Sequence, residues 1–418
     1  MALILSNLLS AADWLYLSGT EPSNSKDMRI WGFLQLGYQQ DYGTIYNKNG
    51  INKTPFVMIP PDLDSQKNYE INRARIALRG KFDQENTLNY FLMTEFGENG
   101  ITRPAGHSVG NHLTDASITY RGVPYCNIRV GQFKYPGSEE GMRAVFATEY
   151  RNFTTVTSQL LLERFLPNDA KEVSKDRFQA APTTSVGAFR DRGVELFYTF
   201  AIEKSVRLSL AGMIGSGSGL SSQNSSSKPT YYAYMASEYL FAKGKGYFLE
   251  SFKTYLWYQN GKRKLNNENY TRERYGVGVD CFYKGLRVDL EYIRARGMIY
   301  NGAKDVDSDP YSVDWEYQIA ASYDNRAEGA YLSTQYYIID KKLELLARYD
   351  YLYRLTNTSK GRRDYKTTTI GASYHFKAYT RLDLNYAFRT IKSPDNPNAQ
   401  DTLDNVGNLL SIQATLKF

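Results

Sequence analysis

Long apolar runs are missing from this chain. No stretch approaches the roughly 18 consecutive apolar residues of a membrane-spanning helix, so if the chain crosses a bilayer it must do so with strands. Cysteine is almost missing: Cys126 and Cys281 lie far apart with no metal-like spacing, which argues against a disulfide framework and for free thiols. Histidine occurs only at His107, His112 and His375, which leaves little material for a histidine metal site. A clustered basic arm is also lacking. The formal net charge of +7 comes from 51 basic and 44 acidic residues scattered through strand-like segments, so no nucleic-acid partner is expected. Gly215-Ser-Gly-Ser-Gly219 lacks the following Gly-Lys-Ser/Thr and helix of a phosphate loop, so it reads as a flexible connection and no cofactor is expected.

Tyrosine is abundant. Aromatics make up 14% of the chain, with 36 tyrosines against 4 tryptophans, although the mean hydropathy is only −0.51. A phenol ring suits the boundary between hydrocarbon and headgroups, and barrel strands alternate so that their hydropathy averages out as polar. The chain ends on such a strand. Leu410, Ile412, Ala414, Leu416 and Phe418 share one face, and Ser411, Gln413, Thr415 and Lys417 the other. A terminal phenylalanine of this kind resembles the assembly signal of bacterial outer-membrane barrels.

Period-two segments recur from residue 28 to the end, many of them about ten residues long, which is the length a tilted strand needs to cross a bilayer. Their connectors alternate. Short turns fall at Asp83–Asn86, Val123–Tyr125, Ile339–Lys342 and Lys377–Thr380; long polar loops fall at Gly43–Lys67, Gly97–Asn111, Lys134–Arg192, Gly215–Thr230, Asn260–Arg272, Thr356–Lys366 and Lys392–Asn408. That sorting is the layout of an outer-membrane barrel. Seventeen segments fit the period, but single-chain bacterial barrels close on an even number. Trp315–Tyr323 breaks the short–long rhythm and is assigned to an external loop, Met298–Glu328. The expected fold is therefore all-β, a transmembrane antiparallel β-barrel of sixteen strands, with eighteen as the alternative.

Charge then separates the faces. In Asn68–Phe82, Ala74, Ile76, Leu78 and Phe82 oppose Arg73, Arg75, Arg79 and Lys81. A charge on the lipid face at midplane costs about 2–4 kcal/mol, so the basic ladder must face the lumen. The same rule turns Arg129, Arg287, Asp289, Glu291, Glu344, Arg348, Asp350, Arg381, Asp383 and Arg389 inward. Arginine is in surplus, which favours anions over cations in a pore. Residues 134–192 form a loop too long for a simple connection, and they hold an apolar run, Ser158–Leu166. Folded inward, this third external loop narrows the pore. Residues 1–27 read as an N-terminal segment, either a signal remnant or a short periplasmic piece, and 28–418 as a single barrel domain.

Several of these segments resemble the phosphate-selective porins of the O and P type. Asn72-Arg-Ala-Arg-Ile-Ala-Leu-Arg-Gly-Lys-Phe82 is similar to that family's arginine-rich second strand, and Thr114-Asp-Ala-Ser-Ile-Thr-Tyr-Arg-Gly122 continues the likeness. Ile128-Arg-Val-Gly-Gln-Phe-Lys-Tyr-Pro136 with Ser138-Glu-Glu140 resembles the entry to its constriction loop, and Arg192-Gly-Val-Glu-Leu196 the exit. The resemblance implies a homotrimeric sixteen-stranded porin in the outer membrane of a Gram-negative bacterium, passing small anions such as phosphate by passive diffusion. By matched motif, Arg73, Arg75 and Arg129 line the lumen and Lys134 sits at the root of the loop. Arg79, Lys81, Arg143, Arg151, Arg348 and Arg381 complete the expected anion-guiding set. Membrane lipid and lipopolysaccharide are the expected surroundings, with Lys262-Arg-Lys264 and Arg362–Arg363 placed to meet lipopolysaccharide phosphates.

Lumenal Glu95, Asp289, Glu291, Glu344 and Asp350 dilute the basic field and keep two alternatives open. One is a non-specific porin. The other is a porin for cations or neutral solutes, with Phe91, Tyr255 and Trp257 as stacking aromatics. A barrel enzyme is a weaker rival. His107 and His112 lie near Ser108 and Asp115, but a catalytic triad or a metal site asks for more convergent geometry than one polar loop supplies. Neither catalytic nor metal-binding residues are expected.

Overall fold

The protein is represented by a computed structural model that describes residues 13–17, 19–22, 24–48, 51–53, 67–99, 101–102, 112–180, 186–220, 228–241, 244, 246, 248–303, 317–377 and 379–418. Sixteen strands close into one antiparallel barrel. They are β1 (Arg29–Asp41), β2 (Lys67–Lys81), β3 (Leu88–Glu95), β4 (His112–Val123), β5 (Cys126–Lys134), β6 (Arg190–Ala201), β7 (Val206–Gly215) and β8 (Thr230–Leu240). Then follow β9 (Ser251–Leu265), β10 (Glu268–Tyr283), β11 (Leu286–Gly297), β12 (Arg326–Ile339), β13 (Leu343–Arg354), β14 (Arg363–Lys377), β15 (Thr380–Lys392) and β16 (Leu409–Lys417). Each strand pairs with its sequence neighbours. The seam joins β1 to β16, with Leu36 opposite Ala414 and Tyr38 opposite Ile412. Closure leaves no edge to satisfy, which is the condition for a sheet to sit in hydrocarbon.

The expected sidedness holds. Ile76, Leu92, Val130, Leu290, Leu345 and Leu384 are exposed on the outer face, while Arg73, Arg75, Arg79, Arg129, Asp289, Glu291 and Asp350 are buried inside. Ser411, Gln413 and Thr415 point inward and Leu416 outward, as the terminal alternation requires. Phe91, Tyr255 and Trp257 also face in. Gly276 and Gly278 leave room for two of these rings: a Cβ at Gly276 would lie 2.7 Å from the Trp257 indole, and one at Gly278 would lie 2.3 Å from the Tyr255 hydroxyl.

Two expectations need correction. Tyr317–Ala320 stays out of the barrel, but it is a strand and not plain loop. It joins Ile299–Ala303, Arg177–Ala180 and Lys171–Ser174 in a separate four-stranded sheet built from two different long connections. Asn260–Arg272 is not a long loop, because β9 and β10 run on to Leu265 and Glu268. The two-residue turn between them, Asn266–Asn267, has both φ angles positive, at 47° and 66°. Asparagine tolerates that geometry, which gives the tight hairpin turn matching strand twist. This extension also turns Arg263 inward onto Glu163, so the Lys262-Arg-Lys264 run does not present three charges to the outer rim.

The N-terminal segment has a described part. A short helix, α1 (Trp14–Leu17), and residues 19–21 sit inside the barrel, at the end formed by the short turns. Arg129 donates to the Leu15 carbonyl at 2.6 Å, and Arg79 donates to the Leu17 and Thr20 carbonyls, both at 2.9 Å. Thr199 holds both the Asp13 carboxylate and the Tyr16 hydroxyl. The described residues from Asp13 to Glu21 are therefore part of the barrel's filling. Residues 1–12 lie outside the described residues.

Leu290 lies near the middle of β11 with its side chain outward. Leu290→Arg should lower stability by about 2–4 kcal/mol in urea unfolding from phospholipid vesicles, as a charge in hydrocarbon must.

A candidate permeation chamber

The chain from Lys134 to Arg190 turns into the barrel at once. Lys134 Nζ donates to the carbonyls of Gly141 at 2.9 Å and Arg143 at 2.8 Å, closing the first bend on itself. Ser138 caps the short helix α2 (Glu139–Met142), accepting from the Gly141 N–H, and its hydroxyl donates to Glu291 on β11 at 2.9 Å. Arg143 then reaches Asp280 of β10 at 3.1 Å and pairs with Asp289 of β11. Farther on, Gln35 of β1 donates to the Val145 carbonyl at 3.2 Å, and Arg381 of β15 donates to the carbonyls of Phe146, at 2.7 Å, and Thr148.

The segment then crosses to the opposite wall. Tyr150 donates to the Thr334 carbonyl of β12 at 3.1 Å, with the Arg348 guanidinium 4.3 Å over its ring. Arg151 pairs with Glu70 of β2, and its backbone N–H donates to Asn385 of β15. Thr154 starts α3 (Thr155–Leu161) by accepting from the Thr157 N–H. That helix lies wholly buried against β13 and β14: the Thr155 N–H donates to Asp350 at 2.8 Å, and the Thr155 hydroxyl meets that of Thr367 at 3.2 Å. At its C-terminal end Arg272 and Arg274 donate to the Leu160 carbonyl, the end of a helix that attracts cations.

The loop therefore forms a strap fixed to β1, β2 and most staves from β9 to β15. The polar inner wall supplies the fixings. A guanidinium held away from water needs acceptors or a counter-charge, and loss of one partner from such a pair is costly. The predicted basic residues meet that demand. Arg75 pairs with Glu95 at 2.6 Å, Arg129 with Glu195 at 2.8 Å, Arg348 with Glu140 at 3.6 Å and Arg381 with Asp383 at 2.8 Å. Arg79 pairs with Glu21, and Arg73 donates to Gln35 at 3.0 Å. Lys81 lies 4.0 Å from Asp27. The ladder faces inward, but most of its charge is neutralised where it stands.

Between the strap and the wall of β1–β5 remains a cavity of about 300 Å³. Trp31, Phe33, Phe91 and Met93 line it from the wall, Met142, Ala144, Val145 and Phe146 from the strap, and Trp14 and Leu17 from α1. Six basic side chains border it: Arg29, Arg75, Arg79, Lys134, Arg190 and Lys417, with Asp115 as the single carboxylate among the lining residues. Arg75, Arg79 and Lys134 belong to the predicted set. Arg73, Lys81, Arg129, Arg143, Arg151, Arg348 and Arg381 do not border this space. Arg29 and Arg190 stand outside the expected set, each at a strand end where parity alone gives no hint of what lies opposite; Lys417 falls on the polar face of the terminal strand but is not in that set either.

The aromatic alternative divides in the same way. Phe91 borders the cavity, whereas Tyr255 and Trp257 do not; Trp257 donates to Glu291 at 2.7 Å instead. Of the histidines, His107 lies with Ser108 outside the described residues. His375 sits 2.6 Å from Glu344, and Glu149 of the strap completes a buried group whose ligand-type atoms lie within 4.8 Å of one another. Three distant segments supply that group, so no local spacing signals it. Arg381 approaches Glu149 to 3.9 Å and already provides positive charge there.

A family model described as phosphate-selective porin O and P matches residues 21–180. No curated protein matches the chain. Among solved structures it is similar to OmpF of Salmonella typhi in complex with daunomycin, at 14% identity over 94% of this chain and 97% of that one, with a TM-score of 0.59. The anion-selective porin from Comamonas acidovorans is similar at 12% identity over 94% and 99%, with a TM-score of 0.54. The trimer form of OmpT, an outer membrane protein of Vibrio cholerae, is similar at 11% identity over 96% and 100%, with a TM-score of 0.51. At these identities the likeness establishes the fold, a sixteen-stranded porin-type barrel.

Glu163, beyond α3, gives the strap a pH limit. Burial opposes its ionisation, but Arg263 at 2.7 Å and Arg272 at 3.5 Å outweigh burial and hold the carboxyl below the usual glutamate range. A depressed folded-state pKa gives stability that is present above the unfolded value and is lost as pH falls through the folded one. Hydrogen exchange, corrected for intrinsic rate, should show α3 losing protection in that acid window, and Glu163→Gln should lose it at neutral pH as well.

Proposed function

We propose that this chain is an outer-membrane porin through which small solutes diffuse passively, with anions preferred. The observation that carries this reading is the chamber beside the strap, bordered by six basic side chains and one carboxylate. Glu21 is shared between Arg29 and Arg79, Glu95 answers Arg75, and Asp115 answers Arg190. Among the described residues Lys134 and Lys417 have no carboxylate within ion-pair distance. A positive surplus of this kind raises local anion concentration, and binding stays weak enough for release because the charges are spread along the path.

On this reading residues 28–418 form one barrel domain and 134–192 its constriction loop. Arg75, Arg79 and Lys134 act on the passing ion. Arg73, Lys81, Arg129, Arg143, Arg151, Arg348 and Arg381 act chiefly as fixings that hold the wall, strap and N-terminal segment in place. Support for a homotrimer comes from the porin-type fold and from the trimer form of the similar Vibrio cholerae barrel. The outward aromatic residues, among them Tyr283 and Tyr374, suit a lipid interface in the outer membrane of a Gram-negative bacterium.

In planar bilayers under a potassium chloride gradient, the reversal potential should have the sign of chloride selectivity. Lys417→Glu should move it toward the potassium side. A cation-selective wild type would overturn the anion preference, and the absence of any conductance would overturn the channel.

A further inference from the structure

The chamber's walls say more than a sign of charge. The basic groups stand at its border, but the surface between them is carbon: Trp31, Phe33, Phe91, Met93 and Phe146. Lys417 shows how the two kinds of surface are joined. Its ammonium lies 4.4 Å from the Phe146 ring centroid and 4.3 Å from that of Tyr379, so aromatic faces replace part of its water. Trp31 and Phe146 meet edge to face at 5.5 Å, and Phe33 lies 5.4 Å from Phe146, which makes the strap and the wall one continuous aromatic surface.

Small inorganic anions gain nothing from such a surface. A hydrated phosphate finds donors only at the basic border and must give up water along the carbon surface between them, which offers no hydrogen bonds in exchange. An anion with an apolar body meets both requirements at once: its head faces the ammonium groups, and its body displaces poorly bound water from the rings. We propose that the chamber is a binding site for small organic anions with an aromatic or branched aliphatic body, carboxylates foremost, and that it favours them over inorganic phosphate. This assignment rests on the channel reading above for its role in transport, but the binding itself does not require conduction.

The test uses the full chain folded in detergent and reads tryptophan fluorescence, since Trp14 and Trp31 both border the chamber. The probe is 4-nitrobenzoate, with 4-nitrobenzyl alcohol as its neutral counterpart and inorganic phosphate as competitor. Saturable quenching is expected, about tenfold tighter for the anion than for the alcohol, the size of one charge-assisted contact. Phosphate at matched concentration should not displace it. Trp31→Phe should remove much of the signal, and Lys417→Gln should weaken binding by about tenfold. Met93→Asp, which places a carboxylate in the same space without touching Lys417, should weaken it as well. Equal affinity for acid and alcohol, displacement by phosphate, or unchanged binding in both Lys417→Gln and Met93→Asp would overturn the proposal. Binding by a barrel that does not conduct would overturn the channel and leave this site standing, whereas conduction without binding would overturn the site alone.

Discussion

A guanidinium turned toward the inside of this barrel must find an acceptor, and the acceptor is usually on a different segment. Arg143 of the strap meets Asp280 and Asp289 on the wall, Arg381 of the wall meets the carbonyls of Phe146 and Thr148, and Arg79 closes on the N-terminal segment through Glu21. Each pair answers the cost of taking a charge out of bulk water, and each thereby fixes a piece of chain to the polar inner wall, beside the apolar contacts that the strap makes through residues such as Val156 and Leu160. The strap's path, the seat of α1 and the position of the remaining space all follow from where those partners stand.

That constraint also explains why a count of arginines is a poor guide to selectivity. The β2 ladder suggests a strongly basic pore. In the folded chain its members are mostly committed to Glu95, Glu21 and Gln35. What remains to act on a solute is the residue of that pairing: two lysines without carboxylate partners among the described residues and one carboxylate shared by two arginines. Selectivity is thus a small difference between large opposing charges. It depends on positions such as Lys417 that sit at the edge of the pairing scheme.

The barrel itself was legible because lipid imposes a one-residue alternation that sequence shows directly. Ile76 and Leu290 had to point out, and Arg75 and Asp289 had to point in. The alternation became unreadable where lipid ends. From Asn260 to Arg272 both faces of the hairpin are polar, so a continuing strand looks like a loop. The site was legible only in part. Of the residues expected to guide anions, Arg75, Arg79 and Lys134 border the chamber, but Arg29, Arg190 and Lys417 come from three other strands and share no local pattern. Glu344 and His375 meet across the adjacent strands β13 and β14, but Glu149 reaches them, and Arg151 reaches Glu70, from far away in sequence, and only the inward fold of the strap brings them near.

The central claim is that the proposed passage uses the chamber on the β1–β5 wall and that α3 fills the β13–β14 side. Single cysteines placed in a background lacking Cys126 and Cys281 test it directly, with a negatively charged methanethiosulfonate reagent applied during conductance recording. Met93→Cys, on the chamber wall, should react and reduce the current, while Thr367→Cys, beneath α3, should stay silent. Reaction at position 367 with none at position 93 would contradict the account.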